Sequence, residues 1–215
     1  FNQDGYRVLL IDEAHHHDHS HHHGPQKALA YQVEFIAAQG ETWQSKGEEA
    51  YTRNYFLGND PSRWKSGLGS FTQALRKDIY PGIDLLFYEQ QEKLKYDIKL
   101  DQNAHPRELK MVFHGIESLK IREEQLIIET AFGEVRESIP FSYQLINGKK
   151  RKVHAHYELN GDTVSFKVDG YREGYPLLID PVLEFATFSG SADLNFGNSA
   201  TYGDNGSMYG AGVNF

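Results

Sequence analysis

The fold class is decided most clearly at residues 93–100, which read Lys93-Leu94-Lys95-Tyr96-Asp97-Ile98-Lys99-Leu100. Apolar and charged side chains alternate, so an extended chain here has one apolar face and one charged face. This period is typical of an antiparallel strand that has one face in the core and the other in water. The segment is therefore predicted to be a half-buried strand.

Further segments have strand length and are rich in Val, Ile, Tyr and Phe: residues 6–11, 30–36, 83–88, 109–113, 125–130, 141–146, 153–159 and 163–168. Two connections, Asn147-Gly148 and Asn160-Gly161-Asp162, carry residues that tolerate the positive φ of tight turns, which predicts hairpins. Residues 71–78 and 107–112 are expected to form a turn or two of helix at most. The predicted fold class is mainly β, with antiparallel sheets in a sandwich-like or extended β domain.

Composition limits the function classes. The 215 residues carry 22 Lys plus Arg and 30 Asp plus Glu, a net charge of −8, which argues against an unassisted nucleic-acid binder. The absence of Cys excludes a disulfide framework and a thiol nucleophile. Because no apolar run approaches the roughly 18 residues that cross a bilayer, the chain is predicted not to span a membrane. With no initiator Met, it is expected to be a processed product or a piece of a longer protein.

A change of composition predicts two domains. Residues 177–215 contain no Lys or Arg and are rich in Gly. Asp180-Pro181 is the natural hinge, because proline restricts the residue before it to extended conformations. The prediction is a β-rich domain over 1–180 and, over 181–215, the first strands of a propeller-like repeat. About three repeats are normally needed for stability, so a longer parent chain is expected.

Several motifs in order carry a family resemblance: residues 55–66 (YFLGNDPSRWKS), 80–85 (YPGIDL), 94–97 (LKYD) and 177–183 (LLIDPVL). Together they resemble the N-terminal domain that precedes seven-bladed β-propeller (SBBP-type) repeats in large bacterial surface proteins. Residues 185–191, 200–206 and 208–212 look like the first repeat. Many proteins of this kind are gliding-motility-associated and leave the cell by type IX secretion.

The resemblance implies an exported protein at the cell surface, associated with the outer membrane or extracellular. The expected function is a non-catalytic module in adhesion or surface-complex assembly, with other surface or outer-membrane proteins as partners. Two alternatives stay open. One is a protein that binds or processes surface polysaccharide, and the other is a structural component of the type IX secretion or gliding machinery.

The candidate metal site is a histidine-rich segment, in which imidazole nitrogens suit Zn or another divalent metal. The alternative is a solvated loop that chelates metals adventitiously, since a contiguous polar run lacks the supporting contacts of a built site. No other cofactor is expected. The candidate ligands are His15, His16, His17, His19, His21, His22 and His23.

The candidate ligand-binding residues are Trp64 with Arg63, and Trp43, since an exposed Trp beside a cation can stack on a sugar ring. Packing against the sheet is the simpler role for both tryptophans. On one predicted strand, His154 and His156 share a face that is most simply a polar surface.

The basic run over residues 149–152 follows the Asn147-Gly148 turn. It suits an anion or lipopolysaccharide contact, or simply a solvated hairpin edge.

No catalytic residues are predicted. The sequence contains no Gly-x-Ser-x-Gly elbow, phosphate-binding loop or His-Glu-x-x-His pair. Acidic neighbours such as Glu123 and Glu124 would point to opposite faces of a strand, so they could not act together as acid and base.

Overall fold

The computed structural model describes residues 1–11, 28–55, 60–90, 93–138, 141–185, 197–202 and 208–212. Within these ranges the chain is built from strands and two short 3-10 turns, Pro61–Arg63 and Pro106–Glu108. The mainly β prediction is therefore confirmed. The strands are β1 Gly5–Ile11, β2 Ala28–Phe35, β3 Gln44–Tyr55, β4 Lys65–Tyr80, β5 Ile83–Gln90, β6 Lys93–Leu100, β7 Met111–His114, β8 Ser118–Arg122, β9 Gln125–Thr130, β10 Gly133–Glu137, β11 Phe141–Ile146, β12 Lys149–Asn160, β13 Thr163–Asp169, β14 Leu177–Asp180, β15 Leu183–Phe185, β16 Gly197–Tyr202 and β17 Met208–Gly212.

Most strands belong to one large antiparallel sheet. Its order is β1-β2-β7-β13-β12-β11-β14-β6-β5-β4-β16-β17, and β3 also pairs with β4. Alternating burial along β5 and β13 shows why these segments are strands, since every second side chain enters the core. The strand predicted at 93–100 is β6, and its Tyr96, Ile98 and Leu100 are buried as the alternation requires.

The large sheet is strongly curved. The rings of Tyr6 in β1 and Phe87 in β5 lie 5.0 Å apart, although these strands are far apart in the sheet order. The segment after β2 also lies against β4, since the backbone N–H of Gln39 donates to the carbonyl of Ile79 at 2.8 Å. The concave face of the sheet therefore encloses a single apolar core.

A smaller antiparallel sheet, in the order β15-β10-β9-β8, supplies further side chains to the same core. Leu126, Ile128, Val135 and Leu183 are buried there together with residues of the large sheet. The two sheets are thus held together by shared apolar burial, the main stabilising contribution in folding.

The predicted tight turns are confirmed. Asn147 and Gly148 both have positive φ, 51° and 74°, and join β11 to β12. Gly161 also has positive φ and joins β12 to β13. These turns set the register of three neighbouring strands.

Two local predictions were wrong. Residues 71–78 lie in β4 and contain no helical turn, whereas residues 107–112 combine the end of a 3-10 turn with the start of β7, within the predicted limit. Glu123 and Glu124 form the β8–β9 turn, both with positive φ, so they are not strand neighbours.

The predicted hinge lies inside the fold. Pro181 is buried, and the chain continues into β15, where Leu183 joins the core. Contacts of the first domain thus extend beyond Asp180, because β15 pairs with β10. Within the described ranges, no helix has the length and apolar character needed to cross a membrane.

Candidate functional site

The outer surface of the β11–β12 hairpin carries aromatic and cationic side chains together. We call this surface the aromatic–lysine face and define it by Phe141, Tyr143, Leu145, Lys150 and Lys152. The Asn147-Gly148 turn fixes the register, which places Tyr143 opposite Lys152 and Leu145 opposite Lys150. Because successive side chains of a strand point to opposite faces, the intervening Ser142 and Gln144 are buried.

Large apolar side chains are exposed on this face. Phe141 is 52% exposed and Leu145 is 45% exposed. The Nζ atom of Lys150 lies 4.3 Å from the centre of the Tyr143 ring, and that of Lys152 lies 5.7 Å from the centre of the Phe141 ring. An exposed cation–π contact is worth only about 0.5–1 kcal/mol, so an anionic ligand can draw either ammonium group away from its ring.

Among the described strands, this basic segment is paired on one side only. Residues 149–153 pair with β11, whereas the pairing of β12 with β13 begins at His154. Lys149, Lys150, Arg151 and Lys152 are all exposed. A chain of net charge −8 thus presents a local concentration of positive charge.

The neighbouring His154 and His156 face carboxylates on other elements. The Nε2 atom of His154 lies 3.3 Å from Oε1 of Glu124, and Nδ1 of His156 lies 3.7 Å from Oδ2 of Asp169. No group of three or more His, Cys, Asp or Glu side chains suited to a metal ion occurs among the described residues. The predicted metal ligands, His15 to His23, lie outside those residues.

The two tryptophans are not brought together. Trp43 is only 6% exposed; its Nε1 donates to the carbonyl of Asn2 at 2.8 Å and its ring packs against Phe87 at 5.6 Å. Trp43 therefore has the packing role, and its ring is not open for stacking on a ligand. Trp64 is 42% exposed and ends the 3-10 turn that contains Arg63.

A buried carboxyl group lies where the two sheets meet. Glu137, in β10, is 1% exposed, and its Oε1 accepts hydrogen bonds from the phenol of Tyr157 at 2.6 Å and from that of Tyr96. Burial raises the pKa of Glu137 to about 7, although both hydrogen bonds act in the opposite direction. Burial, followed by the charge of Glu137, also raises the pKa of Tyr6 and of Tyr31.

A family model described as a domain of unknown function, DUF7948, matches residues 1–182. The chain belongs to the DUF7948 family. No curated protein and no solved structure matches the chain. The matched residues include both the aromatic–lysine face and the buried carboxyl group.

These two features differ in what they can do for a DUF7948 domain. Glu137 is enclosed by core side chains, so it joins the sheets and offers no carboxylate to solvent. The aromatic–lysine face is open and combines ring surfaces with positive charge.

Sequence reasoning missed the role of Glu137 because β10 was not predicted. The available signal was the period of two that places Val135 and Glu137 on the same side.

Proposed function

We propose that this chain is a non-catalytic binding module of an exported bacterial cell-surface protein, and that it acts in adhesion by binding acidic polysaccharide. The observation that carries the proposal is the aromatic–lysine face, where the rings of Phe141 and Tyr143 on one strand lie beside the lysines of the next strand. The exported address and a gliding-associated or type IX-secreted parent are supported by the sequence resemblance to domains that precede propeller repeats.

The chemistry of the face suits a charged sugar polymer. The apolar faces of sugar rings pack on aromatic side chains, and carboxylate or sulfate groups accept hydrogen bonds from lysine. Residues two apart on a strand are separated by roughly 6.5–7 Å, so Phe141, Tyr143 and Leu145 form a row that an extended polymer can follow. The acidic charge of the rest of the chain repels any polyanion at a distance, so binding is expected to depend on local contacts at this face.

A double substitution tests the proposal. Lys150→Ala with Lys152→Ala is expected to weaken binding to polygalacturonate about tenfold or more, because two charge-assisted contacts are lost. The remaining binding should depend less on salt, since fewer charges are paired. Biolayer interferometry at two salt concentrations measures both effects.

The matched control is Lys77→Ala with Lys110→Ala, which removes two exposed lysines from other parts of the surface. This control should bind polygalacturonate as the wild type does. The assignment to this face would be contradicted if both double variants lost the same affinity for polygalacturonate. It would also be contradicted if the wild-type protein bound uncharged dextran as tightly as polygalacturonate. Fractionation of cells that produce the parent protein tests the exported address separately.

A further inference from the structure

A cleft of about 240 Å³ lies between the loop that follows β6 and the loop that precedes β14. It is separate from the aromatic–lysine face, which lies on β11 and β12. The side chains that give it its chemistry are amides, aromatic rings, an imidazole and one carboxylate: Gln102, Asn103, His105, Tyr171, Glu173 and Tyr175.

The first wall is held by its own loop. The Oδ1 atom of Asp101 accepts hydrogen bonds from the backbone N–H groups of Asn103, at 2.7 Å, and Ala104, at 3.0 Å. The ring of His105 caps the following 3-10 turn, and Glu108 completes the capping box. These contacts fix the backbone at the edge of the cleft without using the side chains of Gln102 and Asn103.

The second wall is held from beneath by Gln144, which is fully buried in β11. Its Nε2 donates to the carbonyls of Arg172, at 2.8 Å, and Tyr175, at 3.3 Å, and its Oε1 accepts from the N–H of Arg172 at 2.7 Å. A buried amide used entirely to fix a surface loop makes the loop a preorganised wall, which lowers the cost of ordering it on binding.

The charged groups around the cleft argue against an anionic ligand. Arg107 lies close to Tyr171, but its guanidinium is engaged by Glu158 through two hydrogen bonds, at 3.1 and 3.0 Å. Glu173 gives the cleft a carboxylate, which repels anions. Tyr171 meets the ring of His105 edge to face, at 6.0 Å between centres, and this forms an aromatic side to the cleft.

We propose that this cleft binds one neutral sugar residue. Aromatic rings pack against the C–H face of a sugar, and the amides and carboxylate supply both donors and acceptors for its hydroxyl groups. The volume is below the roughly 300–1,000 Å³ of pockets for drug-sized ligands, so it suits a single ring. The inference goes beyond the proposed contact with acidic polysaccharide and does not depend on it.

The test is NMR titration of the folded chain with the methyl glycosides of glucose, galactose, mannose and N-acetylglucosamine. At least one glycoside should shift the amide signals of residues 102–105 and 171–175 with millimolar affinity, as expected for a ligand with few atoms. Tyr171→Ala should remove the shifts, and Glu173→Gln should weaken them several-fold. Because Glu173 is exposed, Glu173→Gln is expected to fold, so this variant can be titrated even if Tyr171→Ala does not fold.

Tyr143→Ala, the same substitution on the aromatic–lysine face, is the matched control. It should leave the neutral glycoside shifts unchanged while it weakens polygalacturonate binding. Absence of cleft shifts with every glycoside up to tens of millimolar, or shifts that persist in both cleft variants, would overturn the inference. Since each site has its own ligand and variants, failure of one is distinguishable from failure of the other.

Discussion

The contribution of Glu137 to the free energy of unfolding is expected to fall by about 3 kcal/mol as pH rises from 4.5 to about 7, and Glu137→Gln is expected to abolish this pH-dependent contribution. Glu137 has an ordinary pKa of 4.5 when unfolded and a pKa of about 7 when buried. Between these values the folded state keeps a proton that the unfolded state has lost. The contribution of Glu137 to stability is therefore greatest below pH 4.5 and smallest above pH 7.

The surroundings of Glu137 explain the direction. Its hydrogen-bonding partners are the phenols of Tyr96 and Tyr157, whose own pKa values burial raises, so they remain neutral throughout this range. Phenol donors stabilise the carboxylate but do not replace bulk water as a solvent for charge. Desolvation outweighs the two hydrogen bonds, and the folded state favours the protonated acid.

Urea unfolding at a series of pH values, with wild type and Glu137→Gln compared at each, measures this contribution. Residues that titrate elsewhere in the chain cancel in the difference between the two proteins. A difference that stays constant between pH 4.5 and 7 would show that the carboxyl does not change its protonation in the folded state as described.

The matched control is Glu134→Gln, a substitution of an outward-facing residue on the same strand. Hydrogen bonds from Arg122 and Arg136 lower the pKa of Glu134 below its ordinary value of 4.5. Its stabilising contribution is therefore present above pH 4.5 and lost as pH falls through the lowered pKa. The pH-dependent change in the Glu134→Gln comparison should appear below pH 4.5, and with the opposite sign.

Phe87→Ala is expected to lower the free energy of unfolding by about 3–5 kcal/mol, the usual cost of removing a buried phenyl ring. Phe87 is buried in β5 and its ring centre lies 5.0 Å from each of those of Phe1, Tyr6 and Tyr96. Because Tyr6 belongs to the opposite end of the sheet order, the substitution opens a cavity at the point where the curvature brings the two ends together. Chemical denaturation monitored by tryptophan fluorescence measures the loss, since Trp43 adjoins Phe87.

Phe141→Ala provides the comparison, because the same atoms are removed from an exposed position on the aromatic–lysine face. Its effect on stability should stay within about 0.5 kcal/mol. Similar losses for the two variants would contradict the distinction between a packed ring and an exposed one. Phe141→Ala should instead weaken polygalacturonate binding.

The strands that could be predicted from the sequence are those with one face in the core and the other in water. In β6 and β13 every second side chain is apolar, and the structure buries the residues that the alternation indicates. The Asn147-Gly148 turn could also be predicted from the sequence, because its conformation depends on two adjacent residues. Local chemistry was sufficient in these cases.

The alternation was interrupted in β4, where the prediction failed. Asp78 has positive φ, and the register with β5 shifts between Arg76 and Tyr80. Arg76 is also buried, with its guanidinium donating to the carbonyls of Gln3 and Gln39 from distant parts of the chain. Such a residue looks surface-exposed in the sequence, because the groups that satisfy it are not nearby in the chain.

The candidate sites were only partly predictable, for a related reason. The basic run after Asn147-Gly148 was visible, but its pairing with exposed rings depends on the cross-strand register that places Tyr143 opposite Lys152. The cleft forms where the loops near residues 103 and 173 meet. One of its walls is held by Gln144, whose hydrogen-bond partner Arg172 lies 28 residues further along the sequence. Neither arrangement follows from spacing within a single segment.

The passage of the chain from β14 in the large sheet to β15 in the small sheet has a mechanical consequence. β15 is joined to β10 over three residue pairs, whereas β14 lies between β11 and β6 in the large sheet. Tension applied to the chain beyond Phe185 would first detach the short β15, and would then have to break two rows of hydrogen bonds and the ion pair between Lys95 and Asp180. The fold would therefore yield to such a pull in two steps, with the short β15 and its core residue Leu183 released before the large sheet bears the load.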